Sequence, residues 1–365
     1  MTSVPTRVAL LLTLRLDTAA TSALKPLDVA EMTRLARWLQ GQGRSCLELL
    51  NNPEPTLEGW DDRRIPSERV LRLLGCSMMV DNKIEQWRAQ GVWVAGRTDE
   101  NYPRERLRKW LDESRPPLLF GIGNSRHLDG GGTAIVGSRD ATVEVLRIAE
   151  RLGARAARHG NTVVSGGARG VDERAVQGAF LGSGRALVVL GDSLLKNARK
   201  KQYKAFLENE TLTLISPYSP DVGFTAGNAM GRNRLIYCLA DEAIVVASTD
   251  SIGGTFGGAR EAIRRGWGPM WVVSSDDSDS GNRLLLEDSA QLLPAAAYSL
   301  ASSMYEIFME EWQSRRERGT TIEFLSSEFA LQPTQVEAWI AQGIAAGRVR
   351  YDPETDQYHL ASLNP

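Results

Sequence analysis

The sequence predicts an α/β protein: a doubly wound, mostly parallel sheet, with a helical N-terminal module and a small C-terminal winged-helix-like domain. Three observations predict it. From Gly130 onward, short β-branched apolar runs alternate with amphipathic helical stretches, the rhythm of parallel β-α-β units. Runs such as 186–190 (ALVVL) are apolar at successive positions, as strands covered on both faces require. The last 45 residues or so change character again and read as helix, turn, helix and hairpin.

Residues 1–129 form the N-terminal module. Met32, Leu35, Ala36 and Leu39 recur at helical spacing, and Ser67 to Leu74 is a second amphipathic piece. Pro53, Pro55, Gly59 and Pro66 punctuate between them. A β-prone run, Gly91 to Ala95, precedes a helical Arg104 to Leu111 and the segment 116–121 (PPLLFG). Residues 130–295 form the core. Its expected strands are Thr133–Val136, Thr162–Ser165, Ala186–Leu190, Leu212–Ile215, Ala243–Ala247 and Met270–Val273. Its expected helices are Val143–Arg158, Val171–Leu181, Asn197–Glu208, Asn233–Ala240 and Gly257–Arg265. Residues 296–319 read as a helical linker ending in the charged run 315–318 (RRER). Residues 320–365 follow, with Thr334 expected to cap the second helix and Asp352 to Asp356 to turn the hairpin.

Composition excludes several classes. The chain has 365 residues, 24% charged and 42% hydrophobic, which fits a globular protein of two to three domains. Lys and Arg total 43 against 45 Asp and Glu, so a nucleic-acid contact must be a local patch. Cys46, Cys76 and Cys238 show no paired spacing, and His127, His159 and His359 are scattered, so no metal or cofactor is expected. The longest apolar run, Val8 to Leu14, is too short to span a membrane and lacks a cleavage pattern, so a cytoplasmic location is expected.

In an open parallel sheet, ligands bind beyond the carboxyl ends of the strands. There the sequence places Gly137-Ser138-Arg139, then Gly166, Gly167, Arg169, Gly170 and Asp172, then Gly191. A long loop, Ser216 to Gly231, leads into Arg232, Asn233 and Arg234, and the last such loop holds Gly253, Gly254 and Thr255. Glycine lets backbone N–H groups approach an anion, helix N-termini add positive potential, and arginine offers bidentate donors. This is a phosphate-binding rim. It contains neither a Walker A sequence nor a G-x-G-x-x-G after the first strand, and no histidine for a nucleophilic triad. Asp172 is expected to cap the helix from Val171. Arg199, Lys200, Lys201 and Lys204 offer a possible DNA-tracking face, and Phe224 a stacking platform.

The strings AIVGSR (134–139), VVSGGARGVD (163–172), GRNRLI (231–236), GGT (253–255) and SGN (280–282) together resemble the DNA-processing protein A (DprA/Smf) family. Upstream, GVWV (91–94), NYP (101–103) and PLLFG (117–121) resemble the family's segment before its core. The resemblance implies an extended Rossmann-like fold that binds single-stranded DNA without catalysis, and self-association as a dimer or larger homo-oligomer. It further implies a RecA-type recombinase, or a system-specific protein, as partner. It places Gly137, Ser138, Arg139, Arg169, Arg232 and Arg234 in phosphate-holding motifs. The chain departs from the family around Asn197 to Tyr203 and at Tyr237-Cys238, as a divergent member would. The alternative is a LOG-type nucleoside-monophosphate phosphoribohydrolase, or a nucleotide sensor in an anti-phage setting. GGTFGGARE (253–261) blurs that group's motif, and Glu261 and Arg234 would then be catalytic.

Overall fold

The computed structural model describes residues 2–16, 24–248, 253–275, 280–294, 297–298, 308–309, 312, 320–329 and 331–361. They group into two compact units, Met1–Tyr298 and Ser299–Pro365. The charged run 315–318 and most of the expected linker 296–319 lie outside the described residues, as do 249–252 of the loop before Gly253.

The first unit opens with six helices: α1 (Val4–Thr13), α2 (Val29–Gly41), α3 (Cys46–Asn51), α4 (Pro53–Thr56), α5 (Ser67–Leu74) and α6 (Ser77–Arg88). Their starts are chemically marked. Asp28 and Glu31 form a reciprocal capping box on α2, and Ser45 and Glu48 do the same on α3. The apolar run that is too short for a membrane is α1, and Val8 to Leu12 are all buried in the core. Among the described residues no helix is long and apolar enough to cross a membrane.

Nine strands form one sheet: β1 (Trp93–Gly96), β2 (Leu118–Ile122), β3 (Thr133–Val136), β4 (Val163–Ser165), β5 (Ala186–Val189), β6 (Leu212–Ser216), β7 (Glu242–Val245), β8 (Met270–Val272) and β9 (Gln291–Leu292). Their order is β1-β2-β6-β5-β4-β3-β7-β8-β9. β2 pairs antiparallel with both β1 and β6, and every other pairing is parallel. The crossovers are α8 (Val143–Arg158), α9 (Val171–Leu181), α10 (Leu194–Ala198) with α11 (Lys201–Glu208), α12 (Ala226–Leu239), α13 (Gly254–Arg265) and α14 (Gly281–Glu287); α7 (Arg104–Leu111) lies between β1 and β2. Alternate strand residues face opposite layers. Ile135, Val163, Val188 and Leu214 pack with α8, α9 and the N-terminal helices. Ala134, Val136, Val164 and Val189 pack with α7, α12 and α13. Both faces are therefore covered, as the continuous apolar runs require.

Several boundaries differ from expectation. One helix over Asn197–Glu208 becomes two, because Ser193 caps α10 and the chain breaks at Arg199 and Lys200. The long loop before Arg232 is shorter than expected, because Thr225 caps α12 and the helix runs through Gly227 and Gly231. β2 and β9 extend the sheet on either side of the expected strands.

In the second unit, helices Ile322–Glu328 and Pro333–Ala345 precede an antiparallel hairpin of Val349–Asp352 and Gln357–Leu360. Phe308, Trp312, Leu325, Val336, Trp339, Ile340 and Val349 form its core. Thr334 is not the cap of the second helix. Pro333 occupies the first turn, where its missing N–H costs nothing, and Gln332 is the N-cap.

Candidate nucleic-acid interface

After β3 the chain turns to one side of the sheet through β4, β5 and β6, and then crosses to β7 on the other side. The carboxyl ends of β3 and β7 thus mark the switch point, where open α/β sheets bind ligands. A cleft of about 360 Å³ opens there. Gly137, Ser138 and Arg139 enter it from β3, Asn233 from α12, and Gly253, Gly254 and Thr255 from the start of α13. A second concavity of about 380 Å³ adjoins it and holds Gly166, Gly167, Arg169 and Lys200. Arg139, Phe224 and Arg232 line both.

Arg232 sits at the base. It is 5% exposed, and its guanidinium donates to Gly166 O at 2.9 Å and Asn233 Oδ1 at 3.0 Å. Its Nε is buried with no hydrogen-bond partner among the described residues. A Cβ on Gly166 would fall on that guanidinium, so any larger residue there would displace Arg232 from this position. Asp172 faces Arg232. Burial pushes its carboxyl up, against the opposing pull of Arg232 and the backbone N–H groups of Gly137, Ala168 and Gly166. Asp172 therefore does not cap α9, whose N-cap is Gly170. It ties two glycine loops together by accepting from Gly137 N at 3.3 Å and Gly166 N at 3.2 Å. Gly170 has φ 93°, and a side chain there would strike the Ser138 carbonyl, so it keeps these loops in close approach without lining either cavity.

The rim above is exposed. Arg139 lies 5.5 Å from the Phe224 ring centroid, and Phe224 is 59% exposed. Arg139 has no ion pair among the described residues, whereas exposed Arg169 pairs with Asp140. Thr255 Oγ1 donates to Gly137 O at 3.1 Å, bringing the start of α13 against the β3 loop. The Gly253 N-cap supplies no side-chain acceptor, so the first N–H groups of α13 face the cleft without a side-chain cap.

The other expected residues lie elsewhere. Arg234 pairs with Glu261 at 2.9 Å, and neither lines the cleft. The two residues a phosphoribohydrolase would use are thus engaged with each other outside it. Arg199 donates to Gln90 Oε1 at 2.9 Å, Lys201 is exposed on α11, and Lys204 lies 3.9 Å from Glu208. Of that basic run only Lys200 borders the cavities.

Sequence reasoning missed the apolar part of the lining: Ala226, Ala229, Met230, Ile236 and Tyr237. Ala226, Ala229 and Met230 lie on the part of α12 upstream of Asn233, which reads as loop, whereas Ile236 and Tyr237 lie in the expected helix. The role of Asn282 was also missed. Its Oδ1 accepts from Ser248 N and Oγ, both at 2.9 Å, and its Nδ2 donates to Val273 O at 2.9 Å. It locks the end of β7 to β8 beside the cleft.

The profile of the DNA recombination-mediator protein A family matches residues 93–303, more than half of the chain. Protein Smf of Synechocystis is 29% identical over 161 residues, 42% of this chain and 39% of that protein. DNA processing protein DprA of Streptococcus pneumoniae is 26% identical over 190 residues, 51% of this chain and 66% of that protein. The chain thus spans less than two thirds of either relative. The solved structure of the pneumococcal protein superposes with a TM-score of 0.60 at 19% identity, covering 76% of this chain and 93% of that one. DNA processing protein A of Helicobacter pylori, described for its single-stranded DNA binding mode, is 26% identical, with a TM-score of 0.46 over 55% of this chain and 90% of that one. With the nine-stranded sheet and its switch-point cleft in place, the profile match settles the kinship: this chain belongs to the DNA recombination-mediator protein A family.

Proposed function

We propose that the switch-point cleft and its neighbour hold the backbone of single-stranded DNA. In this reading the protein works without catalysis or cofactor in DNA processing, and presents the strand to a RecA-type recombinase or a system-specific partner. It acts in the cytoplasm as a homodimer or larger homo-oligomer, and its second unit is a winged helix. The observation that carries the DNA reading is Arg139. It stands exposed over the cleft against the Phe224 ring, with no carboxylate partner among the described residues, so a phosphate and a base meet a cation and an aromatic face side by side.

Buried Arg232 adds fixed positive charge beneath, and the start of α13 adds N–H donors. The described acids that line the two cavities are already engaged: Asp140 pairs with Arg169, Asp172 accepts from the N–H groups of Gly137 and Gly166, and Asp192 accepts from Asn197 Nδ2. Among the described residues that leaves no lining carboxylate without a partner, which supports a binding role.

The test is a titration with labelled oligo-dT and with duplex at two salt concentrations. Single strands should bind better, and affinity should fall steeply with salt through counterion release. Arg139→Ala and Arg169→Ala should each weaken oligo-dT binding about tenfold, since a charge-assisted bond is worth about 1.5–3 kcal/mol. Glu261→Gln should change little. Unchanged affinity in both arginine variants overturns the reading. So does release of free base from AMP that disappears in Glu261→Gln.

A further inference from the structure

The loop that carries Phe224 leaves the sheet after Ser216, the last residue of β6, and ends at Thr225, the cap of α12. Phe224 is exposed, and nothing lies within 4 Å of a Cβ built on Gly223 before it, so the ring stands where the rest of the loop puts it. Two fastenings hold that loop upstream. Pro220 is buried, and its carbonyl accepts from Leu195 N at 3.1 Å and Ser193 Oγ at 3.0 Å, both at the start of α10. Asp221 accepts from Ser219 Oγ at 2.6 Å and, across 138 residues of sequence, from Lys83 Nζ of α6 at 2.8 Å. Burial raises the Asp221 carboxyl, but the bonds from Lys83 and Ser219 outweigh it and hold it below its ordinary value, so it is charged at neutral pH.

Helix α6 is a firm base for the second fastening. Val80, Ile84 and Trp87 recur at i, i+4 and i+7 and are all buried. The Trp87 ring meets Phe120 of β2 edge-on at 5.3 Å, and Phe120 lies opposite Ser216 where β2 pairs with β6. The helix is thus packed on the strand pair from which the loop springs, and Lys83, one turn before Trp87, reaches the loop itself. Just past α6, Gln90 Oε1 accepts from Arg199, the neighbour of Lys200 on the rim of the second cavity. The helical module therefore touches both the Phe224 loop and the Lys200 border, although none of its described residues lines that cavity.

We propose that Lys83 is a positioning residue for DNA binding: by fixing Asp221 it sets where the loop holds Phe224 over the cleft. The proposal rests on the reading of the cleft as a single-strand site with Phe224 as its stacking face. A tether and a plain electrostatic field make opposite predictions for Asp221. A carboxylate beside a polyanion repels it, so under a field alone the loss of Asp221 tightens binding. Under a tether, the loss of either partner frees the loop, and both losses weaken binding alike.

The experiment titrates the full-length protein and its Lys83→Met, Asp221→Asn and Lys83→Met/Asp221→Asn variants with labelled oligo-dT, read by fluorescence anisotropy across a salt series. The two side chains are 40% and 44% exposed, so the variants should fold, and thermal melts check that they do. For so exposed a pair the loss should be modest, about threefold in each single variant and no more in the double, because one contact is removed once. Lys83→Arg keeps a donor and should bind within about twofold of the parent. The salt slope should stay unchanged throughout, because no phosphate contact is lost. Phe224→Ala should weaken binding roughly tenfold, and adding Lys83→Met to it should cost nothing further. Tighter binding by Asp221→Asn would make the pair part of a field and overturn the tether. A smaller salt slope in Lys83→Met would make Lys83 a phosphate contact, and a loss that persists beside Phe224→Ala would place its effect elsewhere; either overturns the proposal. If Arg139→Ala weakens binding and the Lys83 and Asp221 variants do not, the tether alone fails. If Arg139→Ala and Phe224→Ala both leave binding unchanged, the cleft reading itself fails.

Discussion

Arg232 and Arg139 show how two arginines of one site do different work. Arg232 is buried and its guanidinium donates to Gly166 O and Asn233 Oδ1, so removing it leaves a buried carbonyl without its donor. Arg232→Met should therefore destabilise the protein by about 1–3 kcal/mol in a denaturant titration. An unchanged midpoint would show that these bonds contribute nothing to holding the glycine loop. Arg139 is exposed, so Arg139→Ala should leave the denaturation midpoint unchanged while weakening DNA binding. The glycine and arginine motifs were legible as a rim because glycine and arginine keep their chemistry in any context. What the sequence could not tell was depth. It made Arg232 and Arg139 look alike, and it cast Asp172 as a helix cap when its carboxyl bridges two loops brought together only by the sheet order.

At the scale of elements, α8 and α9 begin and end where periodicity places them, since both are long, amphipathic and marked at their ends. The failures share a cause. β2 sits behind Pro116 and Pro117 and carries Gly121, so it reads as a connector; it becomes a strand because β1 and β6 flank it. The first turns of α12 and α13 are glycine-rich, and propensity assigns them to loops, but Thr225 caps the one and the bond from Thr255 Oγ1 to Gly137 O anchors the other. The N-terminal module adds a titratable tether. Arg69 donates to both Glu31 oxygens, at 3.0 and 2.7 Å, where the side chains are 15% and 8% exposed. The hydrogen bonds from Arg69 hold the Glu31 carboxyl below its ordinary value. A carboxyl depressed in the folded state stabilises above its unfolded pKa, about 4.3, and that contribution is lost as pH falls through the folded value. Glu31→Gln should therefore cost on the order of 2 kcal/mol at pH 7. The gap between the two proteins should close below about pH 4 in paired thermal melts. A gap that persists undiminished into acid would show that shape, not charge, holds the tether.

For the whole molecule, the division into two units raises the question of which one meets DNA. Self-association belongs to the reading of the first unit, and sedimentation at tens of micromolar should show a dimer or larger species, with a strictly monomeric profile counting against it. The second unit has its own small core, so it can be removed without opening the sheet's core. Its charge argues against duplex reading. Residues 320–361 hold Glu323, Glu328, Glu337, Asp352, Glu354 and Asp356 against Arg348 and Arg350. The helix Pro333–Ala345 exposes Thr334, Gln335, Glu337, Ala338, Ala341 and Gln342, with no lysine or arginine among its residues. A helix that enters a major groove works beside phosphates and needs cations near it to replace the counterions it displaces. This one brings a carboxylate, and the hairpin turn beside it brings three more, at Asp352, Glu354 and Asp356. A protein surface is the better match, and the affinity for single strands should reside in the first unit. Deleting residues 299–365 should leave oligo-dT affinity within a few-fold and its salt slope unchanged, because no phosphate contact is lost. A hundredfold loss, about 2.7 kcal/mol, would put a principal DNA contact in the second unit and reverse the assignment.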